Sequence, residues 1–295
     1  MLFKIFSLYP QIFNSFWENS LIARAVSKEI ISYQMINWQK EFGIGNYKQV
    51  DDRVFGGGTG MVLKPEPIFK ALRKHQAISP LYKAFTEPKV FKQVLPPNSS
   101  FYNYWLVNKP TKITISLTPR GFPLNQNLVE WLQNFSEISI LCGRFEGFDA
   151  RVSSAVDLEI SIGNFVTNGG EVPSMALIEA VSRFVPGFIT KSPSILHDSF
   201  SGSNNQYSEF NSILKKGENL NFEATLEKYL NQQSNDGQSN NILFNDEKWI
   251  SEILPFIEHP QFTRPEVFEN MLIPEILKGG DHKQIAKWRE SDWKN

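Results

Sequence analysis

Apolar and polar positions change their period several times along the chain, and each change marks an element. Residues 2–8 (LFKIFSL) alternate around Lys4 and predict an opening strand that Pro10 ends. Residues 12–36 carry apolar side chains at helical spacing and then an apolar cluster at 30–36, which predicts a helix leading into a second strand. Six of the 18 residues from 43 to 60 are glycine, so an irregular loop is expected there. Pro65-Glu66-Pro67 opens a helix, because proline is tolerated in a first turn. The runs 111–117 (TKITISL) and 138–142 (ISILC) are β-branched and apolar, as buried parallel strands are. Between them Leu128, Val129 and Leu132 give residues 125–134 a helical pattern. Strand, helix, strand in this order predicts an α/β fold with a parallel sheet. A further strand is expected at 160–166. A helix follows at 173–184, with Met175, Leu177, Ile178 and Val181 on one side.

The pattern then fades. Of the 50 residues from 201 to 250, 20 are Asn, Gln or Ser, which reads as a polar, mobile linker or insertion with a short helix at 222–230. Residues 265–269 and 282–290 predict two short helices in a small C-terminal segment.

Length and composition narrow the class. A chain of 295 residues suggests two domains, and 41% hydrophobic residues is ordinary for a soluble globular protein. Cys142 is the single cysteine, so neither an intrachain disulfide nor a zinc cluster of thiolates can form, and a reducing cytoplasm fits. The net charge of −1 supplies no bulk attraction to nucleic acid, although a local patch suffices for that. No run of 18 apolar residues exists, so no membrane partner is expected. The opening MLFKIFSLYP lacks a basic region followed by a long apolar core, so no signal peptide is expected.

Three glycine-bearing turns lie at or beyond expected strand ends: 117–121 (LTPRG), 141–147 (LCGRFEG) and 162–170 (IGNFVTNGG). Open α/β sheets bind ligands at the carboxyl ends of their strands. One such glycine is most simply a turn; three in one sheet point to a ligand held mainly by backbone groups. Neither G-x-G-x-x-G nor a Walker A loop is present, and Gly56 to Gly60 lack the Lys-Ser/Thr that a phosphate grip needs. No G-x-S-x-G elbow occurs. The four histidines, His75, His197, His259 and His282, have no metal-ligand spacing, so no metal site is expected.

Longer motifs narrow the reading further. Residues 51–67 (DDRVFGGGTGMVLKPEP), 141–149 (LCGRFEGFD), 160–165 (ISIGNF), the stretch from GGEVP at 169 to RFVPG ending at 187, 198–200 (DSF) and 259–267 (HPQFTRPEV) follow in order over most of the chain. Together they resemble the bacterial tRNA (guanine-N1)-methyltransferases, the TrmD family. The resemblance implies an α/β, SPOUT-class fold: a parallel sheet with a deep C-terminal trefoil knot, then a polar linker and a small helical C-terminal segment. The knotted domain would span 1–198, the linker 199–254 and a tRNA-binding segment 255–295. It also implies a cytoplasmic homodimer in which each site is completed by the partner chain. The substrates would be a tRNA anticodon stem-loop and S-adenosylmethionine, which donates a methyl group to N1 of guanine 37, just 3′ of the anticodon. Carried over motif by motif, the cofactor contacts fall on Leu117, Thr118, Pro119, Gly143, Phe145, Ile162, Gly163, Asn164, Phe165, Val166, Thr167, Gly169, Gly170 and Pro173. Gly169 and Gly170 are expected to bear no side chain because their backbone would approach the cofactor. Arg120, Phe145, Asn164 and Phe165 stand where relatives usually carry Gln, Tyr, Asp and Tyr.

Guanine N1 holds a proton and is a poor nucleophile until that proton leaves. The site therefore needs a base at N1 and positive charge near O6. The resemblance supplies Asp198 as the base, Arg183 as the cation and Glu146 as a further polar residue. By themselves Asp198 reads as a helix N-cap and Arg183 as a charge closing a helix. Whether Mg²⁺ assists is left open. So are two other readings: a knotted methyltransferase acting on another RNA base, and an inactive paralogue that binds RNA.

Overall fold

A computed structural model describes residues 1–91, 98–189 and 259–290. Asp198, the linker expected at 199–254 and the helix expected at 222–230 lie outside the described residues.

Strand β1 (Leu2–Phe6) opens the chain as expected. In place of one helix beyond residue 12 there are a 3-10 turn, α1 (Asn14–Trp17) and α2 (Ser20–Ser27), with Asn19 extended between the two helices. Strand β2 (Ser32–Ile36) follows, then α3 (Trp38–Phe42), whose N-cap Asn37 accepts from the Lys40 N–H. The glycine-rich stretch carries β3 (Asp51–Arg53), which pairs antiparallel with β4 (Met61–Leu63). Helix α4 (Pro65–Lys74) starts on its proline. Then come β5 (Lys89–Val90), α5 (Asn98–Asn108), β6 (Lys112–Pro123), α6 (Gln126–Leu132), β7 (Glu137–Cys142), β8 (Leu158–Ser161) and α7 (Glu171–Ser182). The C-terminal segment holds β9 (Val267–Phe268), β10 (Met271–Leu272) and α8 (His282–Glu290).

Two expectations are corrected. The strand expected at 160–166 runs over Leu158–Ser161 instead. Ser161 ends it: its Oγ accepts from the Gly163 N–H, and the Phe165 N–H donates to Gly163 O, so local turn bonds replace the ladder. The helix expected at 265–269 is a hairpin. Glu269 and Asn270 both adopt left-handed backbone (φ 49° and 61°), the geometry of a two-residue turn that matches strand twist.

Five strands form one all-parallel sheet in the order β2-β1-β7-β6-β8. Every residue of β7 is buried, as a central parallel strand covered on both faces requires. Alternating side chains feed two cores. Phe3, Ile5, Ile138 and Ile140 pack with Trp17, Trp105, Trp131 and Leu177 on one face. Phe6 and Leu141 pack with Trp38, Phe69 and Leu72 on the other, together with Phe262, Met271, Ile273, Leu277, Ile285 and Trp288 of the C-terminal segment. That segment therefore shares a core with the sheet. Arg151, fully buried, ties it down: Nε and Nη2 bond the Asp149 carboxylate at 2.8 Å each, and further N–H groups donate to Thr263 O and Pro265 O.

Candidate functional site

Parallel strands bring the carboxyl ends of β6, β7 and β8 to one edge of the sheet, where the three glycine turns gather. The first is pushed out of β6. Leu117 and Phe122 both align with Ile160 of β8, so residues 118–121 bulge away from the ladder. Thr118 and Pro119 ride on this bulge, and Arg120 pins it through Nη2 to Glu159 Oε1 at 3.0 Å. The second turn follows β7. Gly147 N–H closes it on Arg144 O, and Phe145 at its tip is left-handed and 54% exposed. The third follows β8 and presents Phe165 and Val166, 55% and 81% exposed. Thr167 Oγ1 donates to Gly169 O at 2.9 Å, while Pro173 is buried in the first turn of α7.

The second and third turns are joined. Arg144 and Gly169 form an antiparallel bridge, and Gly170 N–H donates to Gly143 O at 2.9 Å. The two glycines expected to make room for a cofactor have a reason inside the chain itself. A Cβ on Gly170 would stand 2.7 Å from Cys142 Cα, and one on Gly169 would strike the Arg144 and Glu171 side chains. Cys142 is no nucleophile here: burial first, and the nearby Glu171 carboxylate second, push its thiol up out of the reactive range.

Glu146 lies on the other side of the second turn. Its N–H donates to Met61 O at 3.0 Å, and its carboxylate fills the place where a side chain on Gly60 would stand. The β3–β4 glycine loop therefore belongs to the site, which its local pattern did not reveal. Arg289 of α8 holds the same loop by donating to Gly56 O and Gly57 O. At its base, burial would raise the Asp52 carboxyl, but hydrogen bonds from Lys64 and the Arg53 N–H outweigh that and hold it below the usual range. Arg264 also pairs with Asp52, and its guanidinium lies 5.6 Å from the Phe55 ring centroid.

Arg183 stands apart. It caps the C-terminal end of α7, a helix of 12 residues and so about 18 Å long, while the glycine turns meet the N-terminal end. There it lines a cavity of about 200 Å³ with Ser15, Asn19, Glu179 and Phe188. A single chain thus gathers the cofactor candidates and Glu146 but not Arg183, and Asp198 lies outside the described residues.

Among the described residues, no group of three His, Cys, Asp or Glu side chains could hold a metal ion, and no helix is long and apolar enough to cross a membrane.

The turns fit S-adenosylmethionine chemically. Phe145, Phe165 and Val166 are exposed on the second and third turns and offer apolar surface of the kind that suits a purine ring.

Comparison with known proteins bears on the same residues. The family model described as tRNA (Guanine-1)-methyltransferase TrmD matches residues 1–89, 91–222 and 240–295. The tRNA (guanine-N(1)-)-methyltransferase of Prochlorococcus marinus (strain MIT 9312) is 30% identical over 287 residues, 97% of this chain and 82% of that protein. The enzyme of the same description from Persephonella marina (strain DSM 14350 / EX-H1) is 31% identical over 294 residues, 100% of this chain and 83% of that protein. The crystal structure of tRNA (m1G37) methyltransferase from Aquifex aeolicus is 27% identical with a TM-score of 0.48, covering 98% of this chain and 88% of that one.

Proposed function

The chain belongs to the tRNA (guanine-1)-methyltransferase TrmD family, and from that premise we propose that it methylates N1 of guanine 37 in tRNA with S-adenosylmethionine. The observation that carries this reading is the family match, which runs through all three glycine turns and the glycine loop beside Glu146.

S-adenosylmethionine supplies a sulfonium methyl that is electrophilic without a metal. Residues Leu117, Thr118, Pro119, Gly143, Phe145, Ile162 to Thr167, Gly169, Gly170 and Pro173 would hold it. The chain's own task is to make guanine N1 a nucleophile. Asp198 takes the N1 proton, and Arg183 stabilises the charge left on O6 with its planar donor fork. Glu146, beside the glycine loop, orients the base. The guanine is taken out of its stack to reach them.

The distance between Arg183 and the turns along α7 supports a homodimer in which one chain's arginine serves its partner's turns. The path of the chain supports the trefoil knot. Residues leaving the edge strand β8 must pass the end of β6 to bring Gly170 against Cys142 of β7. The knotted domain then ends near residue 198, with the polar linker at 199–254 and the tRNA-binding segment at 255–295 beyond it. The working compartment is the cytoplasm, where tRNA is modified.

Asp198→Asn tests the assignment. Single-turnover methyl transfer should fall about 100- to 10,000-fold with cofactor binding intact, and part of the rate should return at high pH, where guanine ionises unaided. Near-normal turnover in that variant would return Asp198 to the role of a helix cap. A tRNA transcript lacking guanine 3′ of the anticodon should accept no methyl group.

A further inference from the structure

Glu171 is a carboxylate with its side chain only 1% exposed, at the first position of α7, and the reaction above makes no use of it. Its two oxygens reach different elements. Oε1 accepts from Ser7 Oγ at 2.7 Å, just beyond the end of β1. Oε2 lies 2.9 Å from Arg144 Nε in the second glycine turn. Arg144 in turn donates from Nη1 to Asn168 O in the third turn, at 3.3 Å, and its guanidinium lies 4.8 Å from the Tyr9 ring centroid. Ser7 Oγ also accepts from the Tyr9 N–H at 2.9 Å. One buried charge therefore connects β1, both joined turns and the start of α7.

Burying an ion pair is a poor way to add stability, because desolvation offsets the attraction. Such a pair does fix geometry, since each partner is costly to leave alone. Gly169 has the complementary form: a methyl group there would strike both Arg144 Nε and Glu171 Oε2. We propose that Glu171 is a positioning residue for cofactor binding. Through Arg144 and Ser7 it holds the second and third turns in the spacing that the methyl donor needs, and Gly169 is glycine to admit that pair. This rests on the reading that these turns bind S-adenosylmethionine.

The test compares Glu171→Gln, Arg144→Met, the double variant and Ser7→Ala with the wild type. Titration calorimetry with S-adenosylmethionine and thermal unfolding are measured on each. Wild-type binding decides the underlying reading: a wild type that takes up no S-adenosylmethionine overturns that reading and this proposal together. With binding established, each charge variant should bind about ten- to a hundredfold more weakly, the usual cost of leaving a buried polar partner unsatisfied. The double variant should be no worse than the weaker single, because the second change removes an already orphaned partner. At saturating donor the single-turnover rate should return to within a few-fold of wild type, since Glu171 touches no reacting atom. Ser7→Ala removes one arm without stranding a charge. It should weaken binding about three- to tenfold, and it carries the test should Glu171→Gln fail to fold. Wild-type affinity in the folded variants, with only the melting temperature lowered, would overturn the proposal and leave a purely structural ion pair.

Discussion

Gly170 stands where the chain returning from β8 meets the end of β7, and its missing side chain is a matter of packing before it is one of binding. A methyl group 2.7 Å from Cys142 Cα and 3.1 Å from Gly143 N would push chiefly against backbone, which cannot swing away as a flexible side chain can. Gly170→Ala should therefore cost about 1–3 kcal/mol of stability, a drop of roughly 2–10 °C in a chain this size, and weaken cofactor binding as a consequence. Differential scanning calorimetry would check it, and an unchanged melting temperature would refute the packing argument. Asp157 carries a second prediction. It accepts from the Thr114 N–H at 2.7 Å, while Oδ1 has no hydrogen-bond partner among the described residues. Burial pushes its carboxyl up to about 7, partly opposed by hydrogen bonds from Ser79 and Thr114. Unfolded, the group ionises near 3.8. Between those values the folded state holds the extra proton, so stability falls as pH rises from about 4 to about 7 and stays lower above that. Asp157→Asn should lose that slope. Relative to its value at pH 4, its stability should gain on the wild type by up to about 4 kcal/mol at pH 8, measured by denaturant unfolding.

At the scale of elements, what could be read from the sequence depended on whether the deciding contact was local. β1, β6 and β7 announce themselves as apolar runs because buried parallel strands need no polar face. Helices α4, α7 and α8 carry proline starts or one-sided apolar spacing. Helix α5 does not, because Phe101, Tyr104, Trp105 and Val107 spread around its circumference, so no one-sided spacing marks it. At the β9–β10 hairpin Pro265-Glu266 imitates a helix start, but the left-handed pair Glu269 and Asn270 turns the chain back on itself. The three glycine turns were legible from the strands before them. The contact of Glu146 with Gly60 was not, since it joins residues 86 positions apart with no shared period. The clamp on the C-terminal segment is equally non-local. Arg151→Met should strand the fully buried Asp149 carboxylate at a cost of about 3–5 kcal/mol. The loss should appear first in residues 259–277, as faster hydrogen exchange there than in the central sheet. Uniform loss across both would argue that the segment and the sheet open as one unit.

The whole molecule poses a geometric problem that a second copy would solve. The turns lie at one end of α7 and Arg183 at the other, about 18 Å apart by the rise of a 12-residue helix. A methyl group moves only between atoms in contact, so if the turns hold the donor and Arg183 the target base, as proposed above, a site shared between two chains would bring them together. In a two-fold dimer each site then draws its turns from one protomer and its arginine from the other. The arrangement can be tested by complementation. Val166→Arg puts bulk and charge at an 81% exposed position of the third turn, away from both cores, and should abolish donor binding in its own protomer. Arg183→Ala removes the cation from the partner's site. Each homodimer should be inactive, since both of its sites carry the same defect. Co-expressed with separate affinity tags, half of the dimers should be mixed. In a mixed dimer one site collects both defects and the other collects neither. Activity of the randomly assorted pool should therefore be about one quarter of wild type, and that of the doubly purified heterodimer about one half. A site contained within one chain would instead leave every protomer of the mixed dimer with one defect, and the heterodimer would be as inactive as its parents.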